Sequence, residues 1–194
     1  MKAHSSTRKL VQFSLLLAIE IILGVTPLGF IMVPPVSITL MHIPVIIGSI
    51  VMGPMYGMLL GGSFGIISLL KAIFSAVSPI DLLFNPIVSG NPVASVVMSV
   101  LPRIILGLLP ALLFNLLNKK LKHRTITIGI SAIASTVVHT LLVLLFLFLF
   151  FSAIPLITVL TTILTLNVGL EILVAAVIAI PVCRALLRIN SSPA

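Results

Sequence analysis

Glu20, Arg103, His139, Asn167 and Glu171 are polar side chains set inside runs that are otherwise almost purely apolar. Residues 21–70 contain no Asp, Glu, Lys or Arg, and neither do residues 125–170. In hydrocarbon an unpaired charge costs at least ~2.5–3.5 kcal/mol, so these groups must face one another, water or a ligand. Two arrangements satisfy them. Arg103 and Glu171 form a structural ion pair and His139 is a hydrogen-bonded core histidine, or all three line a water-filled cavity. In the second case an arginine in the wall suits a carboxylate ligand through charge-assisted, bidentate hydrogen bonds. Glu171, Asn167 and His139 then receive hydroxyl or amide groups. Asn167 and Glu171 are four residues apart and share a helix face. Glu20 either counters Arg103 or lines the same cavity. The hydroxyls of Thr136 and Thr140 bond their own helix backbone or join the site.

The elements that carry these residues follow from the apolar runs. The chain has 194 residues, is 60% hydrophobic and has a mean hydropathy of +1.39. A soluble domain of this length cannot bury so much apolar side chain. The unbroken apolar run Leu141–Phe151 also differs from the short alternating segments of a membrane β-barrel. The expectation is an all-α integral membrane protein: one membrane domain over residues 1–194, with six transmembrane helices near 10–25, 38–52, 55–70, 93–118, 125–151 and 156–187. A Pro-rich loop containing Pro34 and Pro35 separates the first two, and Gly53-Pro54 breaks the second from the third. Lys71–Pro92 forms the longest polar interruption, and Pro102 and Pro110 mark kinks in the fourth helix.

Six crossings place both termini on one side, with Arg8, Lys9, Lys119, Lys120, Lys122, Arg124, Arg184 and Arg188. Lys71, balanced by Asp81, falls on the other. The positive-inside rule then puts both termini in the cytoplasm. On that orientation Arg103, His139 and Asn167 lie roughly 15–18 Å below the outer surface on three different helices, with Glu171 one turn deeper.

Other classes find little support. The net charge of +8 sits at helix ends with no nucleic-acid motif, so no nucleic-acid partner is expected. The chain has no phosphate loop, no HExxH and a single cysteine, Cys183, expected as filler near a helix end. No metal or cofactor bound by this chain is expected, and any ATP must be used by partner subunits. The basic start MKAHSSTRKL precedes a first helix read as retained. Gly57, Gly61 and Gly65 recur every four residues and Ser14 and Ala18 give helix 1 a similar step. Such stripes pack helices internally or dock another membrane subunit. A small lipid-modifying membrane enzyme using His139 and Glu171, or a scaffold subunit whose charges only pair internally, are the alternatives of different class.

The stretch Met41-His42-Ile43-Pro44-Val45-Ile46-Ile47-Gly48, continuing through Met52-Gly53-Pro54-Met55-Tyr56-Gly57, resembles the substrate-binding S components of energy-coupling factor (ECF) vitamin transporters. So do Leu101-Pro102-Arg103 with Gly107, and Asn167-Val168-Gly169-Leu170-Glu171. The pattern is most similar to the pantothenate-specific members, and an S component for another small vitamin or precursor is the nearest alternative. The resemblance implies solute capture on the outer side by Val33–His42, Asn85–Asn91, Arg103, His139, Asn167 and Glu171, with His42, Asn85 and Asn91 among the contacts. It also implies a coupling-subunit contact on helix 1, where Ser14 and Ala18 stand for the family's Ala-x-x-x-Ala, and two cytoplasmic ATPases completing the importer. Pantothenate, with one carboxylate, one amide and two hydroxyls, matches Arg103 and its neutral neighbours better than a large planar ring does. With no Trp and one Tyr, the chain offers few stacking surfaces beyond Phe30, Phe74 and Phe84.

Overall fold

The structure is a computed structural model that describes residues 2–33, 36–76, 80–151 and 168–191. Helix α1 (Lys2–Val25) leads through a 3₁₀ turn at Pro27–Gly29 into strands β1 (Phe30–Val33) and β2 (Val36–Thr39). Then come α2 (His42–Met52), α3 (Pro54–Ser75), a second 3₁₀ turn at Asp81–Phe84, α4 (Pro92–Asn118), α5 (Arg124–Phe150) and α6 (Val168–Ser191). Among the described residues four helices are long and apolar enough to cross a membrane: Pro54–Ser75, Pro92–Asn118, Arg124–Phe150 and Gly169–Asn190. The chain is a multi-pass helical membrane protein.

The Pro-rich segment expected as a loop is a β-hairpin over most of its length. Phe30 pairs with Thr39 and Val33 with Val36, in antiparallel register. The runs on either side of Pro34-Pro35 are rich in β-branched and large apolar residues, and pairing satisfies backbone groups that an irregular loop would leave open in apolar surroundings. The pairing also delays the second helix, which starts at His42 instead of 38. Helix α2 has 11 residues, every one of them buried. It is a central core helix surrounded by the others.

Two further boundaries differ from expectation. The first helix starts at Lys2, ahead of residue 10, and α3 continues past Leu70 to Ser75. No Gly or Pro interrupts Lys71-Ala72-Ile73-Phe74-Ser75, so the helix runs on. Residues 156–167 of the expected sixth helix lie outside the described residues, and α6 extends to Ser191.

Between α2 and α3 Gly53 takes φ +103°, a conformation that disfavours any side chain, and Pro54 begins α3. The glycine stripe of α3 then faces α4. A Cβ on Gly57 would fall 2.1 Å from the Gly107 carbonyl oxygen, and one on Gly61 would fall 2.0 Å from that of Arg103. One on Gly65 would meet the Val100 Cα at 2.8 Å. The stripe therefore serves internal packing, and the docking alternative does not hold for it, because α4 already occupies that face.

Beside Pro110, α2 inserts a side chain into the α4 ladder. The Ser49 hydroxyl donates to the Gly107 carbonyl at 2.6 Å and accepts from the Ala111 N–H at 3.0 Å. A serine from a neighbouring helix thus bridges the rung next to the proline, whose own missing N–H is the one that would face the Leu106 carbonyl. The core around α2 is built by Met41, Val45, Ile46, Leu60, Phe64, Leu106, Ile128, Ala132, Ala175, Ala179 and Cys183. At the opposite end from the hairpin, Arg8 donates to the Ile189 carbonyl at 3.0 Å and Gln12 to Asn190 Oδ1 at 3.1 Å. These bonds join the first turns of α1 to the last turn of α6.

Candidate functional site

A partly open cavity of about 120 Å³ lies between α3, α4, α5 and α6, with Phe30 and Thr39 of the hairpin in its wall. The glycine-permitted contact of α3 with α4 fixes the position of Arg103, because the backbone of Gly61 packs on the Arg103 carbonyl. Its side chain is 6% exposed. Nη1 donates to the Met98 carbonyl at 2.7 Å, which draws the guanidinium toward the hairpin end. The guanidinium carbon lies 5.3 Å from the ring centres of both Phe64 and Phe84, within cation–π range. Nε has no hydrogen-bond partner among the described residues.

Glu171 enters the same cavity from α6 but is held by other groups. Its Oε1 accepts the Thr39 backbone N–H at 3.1 Å, and its Oε2 lies 3.4 Å from the Thr140 hydroxyl. Among the described residues neither Glu171 nor Glu20 is in ion-pair contact with Arg103. The fixed acid thus ties the hairpin to α5 and α6 and makes no direct hydrogen bond to the arginine. Thr140 also donates to the Thr136 carbonyl, so it serves both its helix and the site. His139 lines the cavity as well, 6.0 Å from the Phe64 ring centre, with Nε2 lacking a hydrogen-bond partner among the described residues.

The cavity therefore unites Arg103, His139 and Glu171. It does not include His42, Asn85, Asn91 or Glu20. His42 is 1% exposed at the start of α2, within the core. Asn85 spends its side chain on loop architecture, donating to the Ala72 carbonyl at 3.0 Å and accepting from the Ile87 N–H at 2.9 Å. Asn91 caps α4 by accepting from the Ala94 N–H at 3.1 Å. Glu20 bonds the Ser63 hydroxyl between α1 and α3. Asn167 lies outside the described residues. Ser14 and Ala18 are both exposed on α1, beside the exposed Leu10, Val11, Leu15 and Ile22.

Lys71, Ser68, Asp81 and Phe84 also line the cavity. Lys71 reads as a loop charge only if the third helix stops at residue 70. With α3 continued to Ser75 it stands on the wall, its ammonium 5.0 Å above the Phe30 ring. The absence of any helix breaker between Leu70 and Ser78-Pro79 was the available signal. Among the described residues no cluster of three or more His, Cys, Asp or Glu is placed to hold a metal ion.

A cavity with a buried polar wall inside a multi-pass helical bundle fits a solute-binding membrane component, and this chain belongs to the family described as ECF transporter, substrate-specific component, which matches residues 8–183. It is a substrate-capture component of a vitamin importer and no enzyme; coupling and ATP hydrolysis belong to separate subunits. Over 166 residues it is 33% identical to the pantothenic acid transporter PanT of Lactococcus lactis subsp. cremoris (strain MG1363), covering 81% of this chain and 82% of that relative.

Proposed function

We propose that this chain captures pantothenate, with Arg103 as receptor for its carboxylate. The observation that carries this reading is a buried guanidinium on the cavity wall, held by one backbone carbonyl and two aromatic rings, with no hydrogen bond to the nearby Glu171 and with Nε unpartnered among the described residues. A buried cation in that state favours an anionic ligand over a neutral one. The similarity to a pantothenic acid transporter points the same way. His139 and Glu171, with Asn167 four residues before Glu171, complete the polar wall. Asn85, Asn91 and His42 shape the surroundings without touching solute.

The full arrangement in this reading is one membrane domain of six crossings with both termini cytoplasmic. The bonds joining the first turns of α1 to the end of α6 support a common side for the termini, and the lysines and arginines of the α4–α5 connection support its being the cytoplasm. The open Ser14/Ala18 face of α1 is the docking surface for the coupling subunit, since small side chains allow close helix approach. Two ATPases drive the assembled importer, and the chain alone binds without pumping.

The deciding experiment is calorimetric titration of the purified full chain with pantothenate, thiamine and riboflavin, alongside native mass spectrometry of co-purified small molecules. Selective binding of pantothenate is expected. Binding of another vitamin with pantothenate ignored would refute the assignment.

A further inference from the structure

We infer that the ligand lies lengthwise in the cavity, carboxylate inward at Arg103 and hydroxyl-bearing end outward at Lys71, so that Lys71 is a second specificity-determining residue. This rests on the pantothenate reading and adds an orientation and a residue to it.

The α3–α4 contact supplies the scale. Gly57 opposes Gly107, Gly61 opposes Arg103 and Gly65 opposes Val100, so the helices run antiparallel in a fixed register. The Arg103 guanidinium bonds the Met98 carbonyl, which that register places near residue 66 of α3. Lys71 begins about five residues further along, roughly 7 Å toward the hairpin at the rise of an α-helix. The carboxylate carbon and the nearer hydroxyl-bearing carbon of pantothenate are separated by about 6 Å in an extended chain with standard bond lengths. The levels at which the guanidinium is held and Lys71 leaves its helix are therefore offset along the cavity by about the length between the two ends of one such molecule.

The surroundings of Lys71 fix which end it meets. Its ammonium lies over Phe30, and Phe30 pairs with Thr39, the residue whose N–H is held by Glu171. Lys71 thus stands beneath the hairpin, at the outer part of the cavity. Ser68, one turn earlier on α3, lines the same wall. An ammonium and the Ser68 hydroxyl, which has no hydrogen-bond partner among the described residues, offer donors and an acceptor suited to two alcohols in a 1,3 relation. Arg103, deeper and flanked by two phenyl rings, offers donors only, as a carboxylate requires.

The test compares pantothenate with the N-tert-butylacetyl derivative of β-alanine, which keeps the carboxylate, the amide and the carbon branching but lacks both hydroxyls. Both are titrated calorimetrically into the full chain and its Lys71→Met and Lys71→Arg variants. In the unmodified protein pantothenate should bind more tightly than the analogue. Lys71→Met should lose about tenfold or more for pantothenate and leave the analogue unchanged, the loss of one charge-assisted hydrogen bond. Lys71→Arg should restore part of the preference. Retained analogue binding shows that the variant is folded. Equal loss for both ligands, or no loss for either, overturns the role of Lys71 while leaving the pantothenate reading intact. Failure of the unmodified protein to bind pantothenate sinks that reading and this inference with it.

Discussion

Replacing Arg103 with Met removes the buried charge while keeping an unbranched side chain between Phe64 and Phe84. Nη1 is committed to the Met98 carbonyl, which leaves Nε and the remaining N–H groups for a ligand carboxylate. A hydrogen bond to a charged group is worth about 1.5–3 kcal/mol. Two such bonds, reduced by the cost of desolvating both ions, leave a net of roughly 2–3 kcal/mol. The expected loss in pantothenate affinity is therefore about 30- to 150-fold. Pantothenyl alcohol has no carboxylate, so its Kd should move by no more than a factor of about two. Arg103→Lys should recover the charge but only part of the affinity, because an ammonium cannot reproduce the planar fork. The chain has no Trp to report binding by fluorescence, so calorimetry is the assay, with thermal melting to verify folding. The lost cation–π contacts, about 0.5–2 kcal/mol each, should lower the Tm moderately. If acid and alcohol lose affinity equally, Arg103 supports the wall without reading the carboxylate, and the reasoning fails.

Gly61→Ala should drive α3 away from α4, because the new Cβ would fall 2.0 Å from the Arg103 carbonyl oxygen; a stability loss of about 1–3 kcal/mol and weaker pantothenate binding are expected, and an unchanged Tm would refute the close contact. Ser49→Ala leaves the Gly107 carbonyl and the Ala111 N–H without their bridge and should cost about 1–3 kcal/mol in unfolding, with solute selectivity retained; no shift in denaturation midpoint would show that α4 closes its own ladder there. Ala18→Trp should abolish co-purification with the coupling subunit and leave solute affinity intact, since Ala18 is exposed and outside the cavity; an intact complex would move the contact elsewhere. With Cys183 replaced by serine, single cysteines placed at Ser78 and at His123 should label from opposite sides of the membrane, and labelling from one side would refute the six-crossing topology.

Much of the polar lining of the cavity was legible because membrane chemistry makes charge conspicuous. Arg103, His139 and Glu171 stand out on three helices from apolar context alone, and they meet in one cavity. Asn85 and Asn91 could not be sorted from them by type. An asparagine that caps a helix or ties a loop has the same sequence appearance as one in a cavity wall, and only the fold shows that these two make structural bonds outside the cavity lining. Lys71 was misplaced by a boundary of five residues, since the end of an apolar run and the end of a helix need not coincide. The hairpin escaped because its strands are only four residues long and flank a Pro pair.

Composition by itself determined that this chain is a multi-pass membrane protein, because so much apolar side chain has no other solvent. The Gly-x-x-x-Gly-x-x-x-Gly spacing likewise determined that some backbone must approach α3 closely. Only the tertiary structure decided that this backbone is α4's, at the turn carrying Arg103. It also decided the pairing of the charges. Arg103 and Glu171 are natural partners by sign and depth, yet Glu171 is taken by Thr39 and Thr140 from the hairpin and α5. Which donor reaches a carboxylate first depends on the relative placement of segments more than a hundred residues apart. One sequence records each residue's chemistry, and the fold sets their distances.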